Sequence, residues 1–298
     1  MQDSEWIKHI ESLQSVKNIT GTKHNITIAL KNSIKNTLPK EQFGILLSGG
    51  VDSSIIAKIC KDENRKFRCF CVGMEGSDDL KFAEKIAELL DLELISKELN
   101  LDELEEILER VVNILPKPEI IDDNYIEYMV KVSVSSVLLA AISLGKETEF
   151  YSGIGAEELF AGYQRHVKSI SNRGKWRGLD IKGLNEESWE GIKRLNNLAI
   201  TRDTLISNSV SKKIISPYIN DELIILAMSL STSEKIDSCT NKKILRKIAE
   251  DIGVPIEAAA RKKKGAQYGS NFDKGITKLA KRKGFRLKKR YLDSLLAK

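Results

Sequence analysis

The chain has 298 residues, 41% of them hydrophobic and 30% charged, enough to bury a large core as one large domain or two modest ones. No run approaches the roughly 18 consecutive apolar residues of a membrane span, the acidic opening Met1-Gln2-Asp3-Ser4-Glu5-Trp6 lacks the apolar segment of a secretory leader, and Cys60, Cys69, Cys71 and Cys239 follow neither a metal-site nor a disulfide spacing. No membrane span, secretory signal or disulfide scaffold is expected, a cytoplasmic location is expected instead, and the net charge of +6 is modest for the length.

Residues 1–40 are polar, with Ile26, Leu30, Ile34 and Leu38 at helical spacing before Pro39 stops the pattern, and read as a helical lead-in. The apolar run Phe43-Gly44-Ile45-Leu46-Leu47 then stops at Ser48-Gly49-Gly50 and resumes as an apolar helix pattern through Val51-Asp52-Ser53-Ser54-Ile55-Ile56-Ala57. A buried strand, a tight turn and a helix start, in that order, make a phosphate cradle. Gly49 and Gly50 permit backbone angles that point main-chain N–H groups at one anion, and Ser53 and Ser54 fall in the first helical turn, at the positive end of the dipole. Asp52 beside a phosphate is repulsive unless a divalent cation separates them, and Mg²⁺ favours one or two carboxylates with phosphate oxygens and water. A magnesium nucleotide is the functional reading; a glycine-rich turn with a capping Asp is the plain one. The Lys-Ser/Thr ending of the Walker loop is missing.

A second strand is expected over Lys66 to Met74, a helix over Asp78 to Leu90, a third strand over Glu93 to Glu98, and helices over Leu101 to Leu115 and Asn124 to Leu144. Strands alternating with helices predict an α/β fold: a doubly wound parallel sheet with its ligand at the carboxyl ends of the strands. Cys69 and Cys71 alternate on the second strand and share a face, where core packing is the simpler role than redox or sulfur-transfer chemistry. Glu149 to Tyr163 repeats the sequence of strand, glycine turn and helix start, with Glu157 and Glu158 opening the helix. In a parallel sheet that turn can lie beside the first, so that Asp52 and Glu157 hold Mg²⁺ from opposite sides; simple helix capping is the alternative. From about residue 186 to 260 the pattern is helical. Between Lys278 and Arg290, eight of thirteen residues are Lys or Arg and none is acidic, with Phe285 interleaved and Tyr291 next. A polyanion such as tRNA would suit that run, and so would a solvated helix face.

Ser48-Gly49-Gly50-Val51-Asp52-Ser53 resembles the signature of the ATP pyrophosphatases, which split ATP between its α and β phosphates. Together with Val72 to Leu80, Ser152 to Tyr163, Pro217 to Asn220, Asn241 to Arg246 and Arg261 to Ser270, it is similar, in matching order, to the synthetase domain of the asparagine synthetase family, which β-lactam synthetases share. The resemblance covers residues 25–275 and implies a PP-loop ATP pyrophosphatase domain over 41–275, with additional C-terminal helices and a basic tail at 276–298. It further implies that Ser48, Gly49, Gly50, Asp52, Ser53 and Ser54 hold the phosphates that leave as pyrophosphate, that Leu47 and Val72 flank the adenine, and that Ser152 and Gly153 lie near the AMP portion. Asp52 and Glu157 would be the magnesium ligands. Lys263, with Lys262 or Lys264 as the alternative register, would close over ATP and stabilise charge in the adenylation transition state.

Three departures accompany the likeness. Gln2 follows Met1 where glutamine-using members carry a cysteine on an amidotransferase domain, so ammonia or another amine would come from solution or from a separate amidotransferase subunit. Ile154 replaces a glutamate thought to take a proton from the attacking nitrogen, and Lys213-Ile214-Ile215-Ser216 replaces a Glu-x-Arg pattern before Pro217. The implied activity is adenylation of a carboxylate, aspartate by default, or of an amide oxygen, followed by amide formation. A tRNA-modifying PP-loop enzyme and an ATP-binding regulator without catalysis are the alternatives.

Overall fold

The computed structural model describes residues 2–117, 124–163, 166–167, 175–176, 179–180, 183–262 and 264–296. Five strands, β1 (Phe43–Leu46), β2 (Phe67–Met74), β3 (Leu94–Leu99), β4 (Glu149–Tyr151) and β7 (Lys213–Ile215), form one all-parallel sheet in the order β3-β2-β1-β4-β7. A short hairpin, β5 (Lys175–Trp176) and β6 (Leu179–Asp180), stands apart from it. The chain leaves β1 toward β2 and β3, then returns to place β4 on the other side of β1, with Gly44 opposite Phe150 and Ile45 opposite Tyr151. The order therefore reverses between β1 and β4, and the crevice beyond their carboxyl ends is where such sheets take ligands.

The two-residue period of β2 sorts the core. Cys69 and Cys71 pack on one face with Ile45, Leu47 and Tyr151, under helices α1 (Asp3–Gln14), α2 (Lys23–Asn36), α3 (Val51–Asp62) and α4 (Asp78–Leu89). Phe70, Val72 and Met74 pack on the other with Phe150, under α5 (Leu101–Ile114) and α6 (Asn124–Ser143). Burial pushes the Cys69 thiol up to about 12 and Cys71 higher still, which holds both as neutral core groups and removes a thiolate role. On the second face the same cluster takes in the two C-terminal helices described below.

Beyond β4 the chain makes the single turn α7 (Ala156–Leu159), then α8 (Leu184–Leu195), which continues through a π-helical stretch, Asn196–Ile200, into α9 (Thr201–Asn208). The stretch read as helical between 186 and 260 also holds β7, the edge strand of the main sheet. Three residues are too few to display a period, so strand and helix patterns cannot be separated there. α10 (Asp221–Met228), the turn α11 (Thr232–Lys235), α12 (Lys243–Asp251), and the turns α13 (Ile256–Ala259) and α14 (Ala266–Gly269) follow, then α15 (Phe272–Arg282) and α16 (Lys288–Leu296). Among the described residues no helix is long and apolar enough to cross a membrane.

Candidate active site

The first wall is the turn from β1 into α3. Leu47 N–H donates to the Phe70 carbonyl at 3.0 Å, extending the β1–β2 pairing by one residue before the chain turns. Gly49 is left-handed (φ 72°), and a Cβ there would stand 2.5 Å from the Phe82 backbone, so only glycine fits. Ser48 Oγ accepts from Gly50 N–H at 3.4 Å and Ser53 Oγ donates to the Gly50 carbonyl at 3.3 Å, while Ser54 is fully buried. Gly50 caps α3 without a side chain, leaving the first-turn N–H groups without a side-chain cap. Val72 lies buried on β2.

The second wall is the turn from β4 into α7. Ser152 N–H donates to the Ile215 carbonyl at 2.9 Å, which anchors the turn to β7. A Cβ on Gly153 would approach Asp52 Cβ to 3.0 Å, so the two turns touch at this glycine. Gly155 is left-handed (φ 93°) and opens α7, whose four residues bury both Glu157 and Glu158. The two acids part company there: Glu158 Oε1 accepts from the Tyr163 hydroxyl at 2.6 Å, and Glu157 turns toward Asp52.

Asp52 and Glu157 meet on one nitrogen. Lys242 Nζ lies 2.6 Å from Asp52 Oδ2 and 2.5 Å from Glu157 Oε1, and all three side chains are buried. Lys242 comes from the left-handed residue (φ 54°) that opens α12. Two carboxylates that share an ammonium are close enough to share a metal ion. Asp52 Oδ1 is buried and has no hydrogen-bond partner among the described residues. Buried carboxylate oxygens, one of them unpartnered, are the donor set Mg²⁺ takes when phosphate and water complete its shell. No group of three or more His, Cys, Asp or Glu that could hold a metal occurs among the described residues.

The surroundings are built on the same residues. The Tyr218 hydroxyl donates to the Asp52 carbonyl at 3.0 Å, and burial, reinforced by the Asp52 and Glu157 charges, pushes its pKa far up, so it stays a donor. Asn241 Nδ2 donates to the Gly162 carbonyl at 2.9 Å. The Arg246 guanidinium bonds to the carbonyls of Asn241, Ala259 and Arg261; burial lowers its pKa against the pull of Asp52 and Glu157. Arg261 then reaches the first wall, donating to the Ser48 carbonyl and, at 2.6 Å, to Asp79 Oδ1, while lying 4.3 Å over the Phe82 ring.

A family model described as Asparagine synthase matches residues 25–198 and 177–290. The chain belongs to the asparagine synthase family. The chain is 30% identical, over 93% of its length, to a Methanocaldococcus jannaschii protein provisionally named asparagine synthetase [glutamine-hydrolyzing] 1, and 26% identical, over 87%, to asparagine synthetase B [glutamine-hydrolyzing] of Escherichia coli. It spans 55% and 47% of the lengths of those two relatives. Among solved structures, NMN synthetase from Francisella tularensis matches with a TM-score of 0.42 and 11% identity over 93% of both chains.

Within this asparagine synthase family chain, Leu47, Ser48, Gly49, Gly50, Asp52, Ser53, Ser54, Ser152, Gly153 and Glu157 all lie on the two adjoining turns, and Val72 lies on the strand paired with β1. Lys263 lies outside the described residues. Of its neighbours, Lys262 is exposed and Lys264 pairs with Asp78, whose carboxyl that hydrogen bond holds below the usual range. Ile154 packs partly buried against the core. Lys242 is the site residue that sequence reasoning passed over. Its block, Asn241 to Arg246, contributes to the resemblance, but two consecutive lysines carry no sign of which one turns inward.

Proposed function

We propose that this chain is an amide-forming ligase driven by MgATP. An acceptor oxygen, from a carboxylate or an amide, attacks the α-phosphorus; the α–β anhydride breaks and pyrophosphate leaves with the bonding pair. A nitrogen nucleophile then attacks the activated carbon, the carbon–oxygen bond breaks, AMP departs and the nitrogen gives up a proton. The convergence of Asp52 and Glu157, from turns on either side of the sheet's switch point, is the observation that carries this reading.

In this reading Ser48, Gly49, Gly50, Asp52, Ser53 and Ser54 hold the phosphates that leave, Leu47 and Val72 flank the adenine, and Ser152 and Gly153 lie near the AMP portion. Asp52 and Glu157 would hold the magnesium ion, which when bound neutralises charge on the phosphates. Lys263 supplies a further cation to the transition state. The aspartate and ammonia pair is the default of the family. Ile154 has no proton-accepting group, so the second half-reaction uses another group as base, needs none, or uses a different nucleophile.

The test is a pyrophosphate-release screen with ATP, Mg²⁺ and panels of amino acids, with and without ammonia and bulk tRNA. The expected result is magnesium-dependent release with at least one carboxylate acceptor, abolished by Asp52→Asn and by Glu157→Gln. Lys263→Ala should bind nucleotide yet release pyrophosphate about 10²–10³-fold more slowly, the scale of a lost transition-state donor. Stoichiometric ATP binding without turnover under every acceptor would overturn the proposal in favour of a regulator.

A further inference from the structure

The cation between Asp52 and Glu157 belongs to the protein. Lys242 is 1% exposed, and its ammonium donates to one oxygen of each carboxylate. Its backbone is left-handed, a conformation that a non-glycine residue holds only when its surroundings fix it. Gly162 makes the room: a Cβ there would stand 2.3 Å from Lys242 Cε and 1.8 Å from Glu157 Oε2. Backbone strain, a missing side chain and two buried acids all serve to bring one ammonium to one point.

We infer that Lys242 is a tethered stand-in for the divalent ion: ammonium and Mg²⁺ are alternative occupants of the Asp52–Glu157 pair. Without a cation, two buried carboxylates aimed at one point repel, and the crevice they frame would spread. The ammonium holds them at hydrogen-bond distance, close to the arrangement a metal requires. It also excludes the free metal, because a bare Mg²⁺ entering there would face a positive charge already in place. A metal that arrives with a triphosphate brings the anions that make a second cation tolerable, and those anions give the lysine a new partner. The site is therefore selective for the metal–nucleotide complex over the free ion. The metal half of this inference rests on the MgATP reading above; the ammonium half does not.

The experiment uses Mg²⁺ alone as probe, with no nucleotide, on the full chain. Wild type should show the same melting temperature in chelator and in excess Mg²⁺. Lys242→Met should melt about 5–15 °C lower in chelator, as for a buried charge stripped of its partner, recover most of that loss in Mg²⁺, and bind Mg²⁺ by calorimetry at least about tenfold (1.4 kcal/mol) more tightly than wild type. An unchanged melting temperature in chelator overturns the inference, as does a loss that Mg²⁺ leaves in place. Should Lys242→Met fail to fold, the neutral triple variant Asp52→Asn, Glu157→Gln, Lys242→Met decides. Its folding with a magnesium-independent melting temperature supports charge compensation; its failure to fold makes Lys242 a packing residue and overturns the inference. These readouts need no turnover, so a failed pyrophosphate screen beside a positive Mg²⁺ result sinks the ligase proposal alone.

Discussion

Lys235 and Lys242 are both buried lysines, and only one of them sits between acids. Lys235 is 2% exposed in α11 and its Nζ bonds to Met228 Sδ at 3.8 Å, a weak acceptor for an ammonium. Burial, opposed in part by Glu234, lowers its pKa to about 7 from an ordinary value of 10.5. Below about 7 the folded chain carries the proton at the full cost of burial; between 7 and 10.5 the unfolded chain binds it and the folded chain does not, so stability rises with pH. Lys235→Met, similar in volume and apolar, should therefore stabilise the fold by about 1–4 kcal/mol near pH 6, with the gain fading toward about pH 10. Melting curves across that range check it, and an equal or lower melting temperature for the variant in acid would refute it. The same contrast explains what a linear reading can find. Asp52 and Glu157 each stand beside glycines in an apolar context, so their unusual chemistry is local. Lys242 acquires its meaning from partners 190 and 85 positions away, while Lys243 beside it pairs with Asp237 on the surface.

At the scale of elements, α7 has almost no helix to offer. It ends after four residues because Ala161 takes a left-handed φ of 57° and Gly162 N–H turns back to the Glu157 carbonyl at 2.9 Å. That tight ending places Gly162 against the carboxylate and the lysine together. Gly162→Ala should push both aside, costing about 1–3 kcal/mol in urea unfolding as overpacking does and lowering magnesium-dependent pyrophosphate release by about tenfold or more. Wild-type activity in that variant would mean the pair tolerates displacement. The paired elements on either side were legible: strand, glycine turn and helix start recur at Phe43 and at Glu149, and their boundaries fall within a residue or two of the expected ones for β2, β3, α4, α5 and α6. β7 was not, since Lys213, Ile214 and Ile215 gain strand character from pairing with Glu149, Phe150 and Tyr151 rather than from their own alternation.

For the whole molecule, the basic run belongs to two helices that close one face of the sheet. Phe272, Ile276 and Leu279 of α15 and Tyr291, Leu292 and Leu295 of α16 are buried with Leu104 and Leu108 of α5, and the 275/276 boundary falls inside α15. Much of the positive charge meets acids on that face: Arg282 pairs with Asp102 and Glu105, Lys283 with Glu105, and Lys288 with Asp273. The sequence displays the charges but not their partners, because Asp102 and Glu105 lie on α5, far back in the chain, and Asp273 lies a helix earlier on α15. A structural cap and a nucleic-acid surface make different demands on this run. A cap depends on the apolar stripe: Tyr291→Ala should cost about 3–5 kcal/mol in urea unfolding, whereas Arg286→Ala with Arg290→Ala, both exposed, should cost under about 0.5 kcal/mol each. A tRNA surface depends on the exposed cations instead, and its affinity should fall steeply with salt and vanish in the double arginine variant. The expected outcome is the first pattern. A salt-sensitive gel shift with bulk tRNA, lost with Arg286 and Arg290 while stability is unchanged, would assign the run to nucleic acid, whatever the apolar stripe beneath it contributes.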